Sequence, residues 1–168
     1  MRNIFKSTIL LRSILILLSI FLIAACDNLL NDDDNDENEH EDEIMYSEYG
    51  DDESHQTGNT CQNCHIAGGS GEGIFTIAGS VYQADGTTVN PNTTIKIYSG
   101  SNGSGDLLAT IEVDGEGNFY TTQDMDWTGG RYVSASSATN EEFMQSQVTS
   151  GSCNSCHDGA SMARITVN

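Results

Sequence analysis

The chain has 168 residues, of which 6 are basic and 25 are acidic, and its formal net charge at pH 7 is -19. This length favours one domain with additional segments, since a domain commonly takes about 100–200 residues. The negative charge argues against nucleic acid or anionic lipid headgroups as ligands. It suits a cationic partner or simply a solvated surface.

The first 25 residues have the pattern of a secretory signal peptide. The three basic residues of this segment lie in its first 12 positions, and residues 9–25 are almost entirely apolar. An uncleaved anchor is the alternative, because the apolar run approaches the roughly 17–25 residues that span a membrane. The end, Ile23-Ala24-Ala25-Cys26, resembles the bacterial lipobox, which implies lipidation of Cys26. We therefore expect an extracytoplasmic protein attached to a bacterial membrane by an N-terminal lipid.

Residues 26–60 are predicted to form a disordered acidic tether. Of the 25 acidic residues, 14 fall between Asp27 and Glu53. Such a run cannot bury enough apolar surface to offset the entropy lost on ordering. An acidic run after a lipidated cysteine also resembles the signal that sends some lipoproteins to the cell surface. This resemblance implies the outer membrane or cell surface, with the periplasm as the other location.

The pattern C-x-x-C-H occurs twice, in residues 61–65 and again in residues 153–157. Two cysteines about one turn apart can each bond a vinyl group of one haem, and the adjacent histidine can ligate the iron. The pattern resembles the haem-attachment motif of c-type cytochromes. The resemblance implies two haem c groups, bonded by Cys61, Cys64, Cys153 and Cys156, with His65 and His157 as proximal iron ligands.

Two other uses of the cysteines remain open. Each C-x-x-C pair could form a disulfide, or the two pairs together could bind one zinc ion. Neither use explains a histidine at the same offset in both copies. If Cys26 carries lipid, the motifs account for the remaining four of the five cysteines.

The predicted function is electron transfer by a membrane-anchored dihaem protein, with redox proteins as partners. The alternative is a cell-surface binding or adhesion protein with disulfides or a structural zinc site. A haem enzyme such as a peroxidase is not expected, because the sequence offers no spare acid/base pair.

Short segments rich in Thr, Val, Ile and Tyr alternate with glycine-containing turns from residue 73 onward. This spacing is typical of an all-β sandwich, in which residues 61–168 form the domain. The sixth predicted segment could equally be a short helical turn. The seven predicted strands are 75–82, 94–98, 107–113, 118–121, 131–135, 142–148 and 163–167.

The order of residues 77–86, 95–98, 113–119 and 130–133 resembles the carboxypeptidase regulatory-like, or transthyretin-like, domain. That resemblance covers roughly residues 75–135 and implies a seven-stranded, immunoglobulin-like sandwich rather than a function. No helical stretch of useful length follows either C-x-x-C-H motif. We therefore expect the haems to be carried on loops of the sandwich.

The two motifs directly precede the first and the last predicted strands. In a sandwich of seven sequential antiparallel strands, the first and last strands run in the same direction. Both motifs are then expected at one pole of the sandwich. Two haems held close together suit an electron relay.

The distal iron ligands are predicted less directly. His55 ranks first, because ten residues separate it from His65 and allow it to reach across a haem. Met162 is too close in sequence to His157 to reach the far face of the same haem easily, so it could serve the other haem. The remaining histidine and methionine candidates are expected to be solvated in the tether or packed near strands. They are His40, Met45, Met125 and Met144.

Overall fold

The computed structural model describes residues 44–168. The predicted signal peptide, the lipidation of Cys26, the first part of the tether and His40 lie outside the described residues. Within 44–168, no helix has the length and apolar character needed to cross a membrane.

The described part of the chain is all-β, with two four-stranded sheets and three short 3-10 helices. This confirms the fold class predicted from the sequence. The 3-10 helices are Cys61–Asn63, Ser101–Gly103 and Cys153–Ser155. The strands are β1 Ile77–Tyr82, β2 Thr94–Tyr98, β3 Leu107–Glu112, β4 Asn118–Thr121, β5 Tyr132–Ser136, β6 Glu141–Phe143, β7 Gly151–Ser152 and β8 Ile165–Thr166.

One sheet is entirely antiparallel, and the other is mixed. The antiparallel sheet has the strand order β3-β2-β5-β6. In the mixed sheet, β1 pairs antiparallel with β4 and parallel with both β7 and β8. All six residues of β1 are buried, as expected for a strand with neighbours at both edges.

Apolar side chains from both sheets form a single core. In β2 the burial alternates with a period of two, which directs Ile95 and Ile97 inward. Phe119 of β4 is fully buried in this core. Trp127 is partly buried and packs against the core. The remaining buried members are Ile77, Val81, Ala109, Ile111, Val113, Ala135 and Val167.

Residues 44–168 form eight strands, one more than the seven predicted. The additional strand is β7, which has only two residues and therefore no alternation that a sequence could reveal. The expected parallel orientation of the first and last strands is confirmed, since β8 is parallel to β1. Its cause differs from the predicted one, because β7 and β8 run the same way and direction does not alternate along the chain.

Strands β7 and β8 pair with opposite ends of β1. Gly151 pairs with Ile77 at a numbering offset of 74, and Ile165 pairs with Val81 at an offset of 84. The offset rises by ten because the chain between β7 and β8, residues 153–164, leaves the sheet as an excursion. The second C-x-x-C-H motif lies within this excursion.

Part of the segment assigned to the tether packs against the sandwich. Tyr46 forms a β-bridge with Thr121, and Ser47 is only 1% exposed. The hydroxyl of Ser47 donates to the carbonyl of Glu112 at 2.6 Å. Hydrogen bonds to the backbone of the sandwich, rather than apolar burial, hold this segment against the sandwich. The acidic composition of residues 44–60 therefore does not reveal that they are ordered.

Replacement of Phe119 by alanine should lower the free energy of unfolding by about 3–5 kcal/mol, because it removes a fully buried ring from the core. Urea denaturation followed by the fluorescence of Trp127, the only tryptophan, measures this change. Leu107→Ala is the control, since Leu107 is 54% exposed. Similar losses in the two variants would contradict the position of the core.

Candidate functional site

The two C-x-x-C-H motifs adopt the same local conformation. Each begins with a 3-10 helix, and the second cysteine has helical dihedral angles in both copies: φ -115° and ψ -39° at Cys64, φ -107° and ψ -43° at Cys156. In both copies the histidine N–H donates to the carbonyl of the first cysteine at 3.0 Å. The two cysteines of each motif therefore lie on one tight turn, as the sequence spacing predicts.

The four cysteines of the described region also repeat a burial pattern. The first cysteine of each motif is half-buried and the second is exposed. Burial raises the pKa of the Cys61 thiol. Burial also raises the pKa of Cys153 to about 12, and negative charge on Cys61 and Cys156 would add to this rise. Burial therefore disfavours the thiolate form of the first cysteine in each motif.

Both motif histidines are oriented by a hydrogen bond to a backbone carbonyl. Nδ1 of His65 lies 2.7 Å from the oxygen of Glu72, and Nδ1 of His157 lies 2.6 Å from the oxygen of Ala163. A carbonyl oxygen can only accept, so Nδ1 carries the proton in both rings. Nε2 then keeps its lone pair for a metal, and the hydrogen bond at Nδ1 fixes the ring.

Aromatic rings and a glycine surround the imidazole of His65. Phe75 stacks on it with ring centroids 3.9 Å apart and an interplanar angle of 5°, and Tyr120 stacks on Phe75 at 4.7 Å. A Cβ atom at Gly71 would lie only 2.7 Å from Nδ1 of His65. The loop after the first motif therefore needs glycine at this position. The sequence pattern predicts Phe75 only as part of the strand 75–82, and it does not reveal the contact of either Phe75 or Gly71 with His65.

His55 lies next to His65, with ring centroids 6.0 Å apart and an interplanar angle of 38°. Residues near it in the chain are anchored, because Nδ2 of Asn118 donates to the hydroxyls of Ser54 at 2.8 Å and Thr57 at 3.0 Å, while His55 itself is exposed. The structure thus brings together the first motif and the histidine that the sequence analysis ranked first as its distal partner.

The methionines are placed differently from one another. Met162 is 46% exposed in the excursion after His157, and its carbonyl accepts from the N–H of Gly159 at 2.9 Å. Met45 is half-buried rather than solvated, with its N–H bonded to the hydroxyl of Thr122 at 2.9 Å. Met125 packs against the core. A distal role for Met162 stays a prediction.

The structure places the two motifs side by side. Nε2 of Gln62 in the first motif donates to the carbonyl of Gly151 at 3.3 Å. The hydroxyl of Ser152, directly before the second motif, donates to Oε1 of Gln62 at 3.1 Å. The expectation that the two motifs lie close together is therefore confirmed. They meet because β7, which leads directly into the second motif, pairs with β1, which the first motif precedes.

Exposed apolar side chains lie in the loops that follow both motifs. Ile66 and Ile74 follow the first motif and are 53% and 54% exposed. Together with Met162 they make up three of the seven large apolar side chains that are exposed in the described region. Apolar side chains in these positions fit the covering of a flat apolar cofactor beside each turn.

Within residues 44–168, no three His, Cys, Asp or Glu side chains converge as a site for a metal ion. Each motif supplies one histidine with a free Nε2. A porphyrin supplies its own four equatorial nitrogens, so a haem iron requires only axial ligands from the chain. The residues present at each motif therefore fit a haem.

No protein-family model, no curated protein and no solved structure matches this chain. The resemblance to carboxypeptidase regulatory-like domains stays a prediction. Function must be argued from the site, because one β-sandwich can carry many different functions.

In the chain produced without haem, the neutral rings of His65 and His157 should both adopt the Nδ1–H tautomer, because each Nδ1 faces a carbonyl oxygen. Long-range ¹H–¹⁵N NMR correlation of the imidazole rings identifies the tautomer. Gly71→Ala should remove this preference at His65 and leave it unchanged at His157, which serves as the internal control. An Nε2–H tautomer at either ring in the unmodified chain would contradict the assignment.

Proposed function

We propose that this protein is a membrane-anchored, extracytoplasmic dihaem c-type cytochrome that transfers electrons. The observation that carries the proposal is that the two motifs share one geometry. Both form the same turn, and in both the histidine Nδ1–H donates to a backbone carbonyl. The thioether bonds are made by Cys61, Cys64, Cys153 and Cys156, and the proximal ligands are His65 and His157.

The residues of each motif have separate tasks. The two cysteines fix one edge of the cofactor to the turn, and the histidine presents Nε2 to the iron. The carbonyls of Glu72 and Ala163 hold the two imidazoles in the required tautomer and orientation. When bound, haem supplies reversible one-electron chemistry, so the chain needs no substrate pocket.

In this proposal His55 would be the second histidine that holds the iron bound by His65. The short distance between the two rings, with centroids 6.0 Å apart, supports this pair. The anchoring of Ser54 and Thr57 on Asn118 supports a fixed position for His55 between them.

Attachment to the membrane depends on residues outside the described region. The signal-like residues 1–25 and the lipobox-like cysteine at position 26 support a lipid anchor. The acidic residues that follow support a location at the outer membrane or cell surface. The electron partners are then proteins of the periplasm or the exterior.

Protein produced in a host with c-type cytochrome maturation should carry two haems per chain, retained on a denaturing gel. The pyridine haemochrome assay measures the number. The double variant Cys61→Ser/Cys64→Ser should lose one haem, and Cys153→Ser/Cys156→Ser should lose the other. A chain without haem that contains stoichiometric zinc or two C-x-x-C disulfides would instead favour the cell-surface binding or adhesion protein.

His55→Ala should open an axial position on the first haem. The reduced variant should then bind one more carbon monoxide per chain than the reduced parent protein, as measured by titration of the Soret band. His40→Ala is the matched control, because it removes the only other histidine outside the motifs. Equal carbon monoxide binding by the His55 variant and the parent would show that His55 is not an iron ligand.

A further inference from the structure

The two positions between the cysteines of each C-x-x-C-H motif, called its variable residues, differ in the contacts that their side chains make. Covalent attachment and iron ligation require only the two cysteines and the histidine. The first variable residue of each motif, Gln62 in one and Asn154 in the other, nevertheless makes side-chain hydrogen bonds to the segment of the other motif. The second variable residue of the first motif, Asn63, is exposed.

Gln62 binds the chain that leads into the second motif. It donates to the carbonyl of Gly151 at 3.3 Å and accepts from the hydroxyl of Ser152 at 3.1 Å. Both polar atoms of its amide are thus used on two consecutive residues of β7. Gly151 has room for no side chain, because a Cβ atom there would lie 2.2 Å from the carbonyl oxygen of Thr76. The backbone that Gln62 contacts is therefore held tightly against β1.

Asn154 makes the reciprocal contact. Its Nδ2 donates to the carbonyl of Asn59, two residues before the first motif, at 2.9 Å. Asn154 is only 2% exposed, although it lies in a 3-10 helix of three residues. A buried amide of this kind is stabilising only where its hydrogen bonds are made. The two motifs therefore exchange side-chain hydrogen bonds in both directions.

Asn154 also connects the hydrogen bonds between the two motifs to strand β1 of the mixed sheet. Its Oδ1 accepts from the backbone N–H of Ser80 at 3.0 Å, at the point of β1 that lies between the residues paired with β7 and β8. Its Nδ2 also lies 3.0 Å from the hydroxyl of Ser80. That hydroxyl donates to Oδ1 of Asn118 at 2.7 Å and accepts from the N–H of Gly58 at 2.9 Å. A satisfied buried network of this kind restricts motion.

We propose that Gln62 and Asn154 are positioning residues that lock the two attachment motifs into one unit and thereby fix the mutual geometry of the two haems. This inference rests on the proposed dihaem function. The fixed geometry serves electron exchange between the two groups, in which one iron is oxidised as the other is reduced. No third reactant is required.

The test uses the fully matured protein and compares Soret circular dichroism of the parent with that of Gln62→Ala/Asn154→Ala. Two haems held close together at a fixed orientation give a bisignate exciton couplet. The couplet should be present in the parent and largely lost in the double variant, while the haem content stays at two. Asn63→Ala is the matched control within the first motif and should keep the couplet. The variant Cys153→Ser/Cys156→Ser, with one haem, supplies the spectrum without coupling.

The single variant Gln62→Ala distinguishes a change in haem geometry from unfolding of the double variant. Gln62 is half-buried, whereas loss of Asn154 leaves the buried N–H of Ser80 without a partner, which destabilises the fold. Gln62→Ala should weaken the couplet with unchanged fluorescence of Trp127. Two haems without a couplet in the parent, or an undiminished couplet in both variants, would overturn the inference. Absence of haem from the parent would instead overturn the proposed function.

Discussion

The backbone N–H of Ser80 is the point on which the architecture of this protein depends. It belongs to a fully buried strand, and a buried N–H without a partner is costly. Parallel pairing on β1 involves β7 at its first two residues and β8 at its last two, so Ser80 lies between them. The side chain of Asn154 accepts its N–H. A side-chain amide thus continues the pairing of the sheet where the backbone of the second motif leaves it.

This arrangement joins the segment that contains the second motif to the sheet. Within residues 153–164, between β7 and β8, Cys156 is exposed, while Asn154 remains 2% exposed. Gly79 next to Ser80 makes the close approach possible, since a Cβ atom there would lie 2.9 Å from Cβ of Cys153. The second motif is consequently anchored to the strand that the first motif precedes.

The same network extends to residues 54–59. Ser80 and Asn118 bind Gly58, Ser54 and Thr57, so the segment that carries His55 is fixed by the atoms that also hold the second motif. One buried polar cluster thereby joins the second C-x-x-C-H motif to residues 54–59, the segment that precedes the first motif and contains His55. Hydrogen bonds position this site, while the apolar core between the sheets provides the stability on which it rests.

The sequence by itself determined the features whose contacts are short in range. The spacing C-x-x-C-H specifies the turn, because its hydrogen bonds join residues three and four apart, and alternation specifies the long strands such as β2. The all-β sandwich was predictable from such patterns. The proximity of the motifs was predicted from alternating strand directions, but the structure achieves it through strands β7 and β8, which both run parallel to β1. Only the tertiary structure decided the two-residue strand β7, the packing of residues 44–60 and the roles of Gln62 and Asn154. Their contacts join residues 89 and 95 positions apart, so they exist only after the strands have paired.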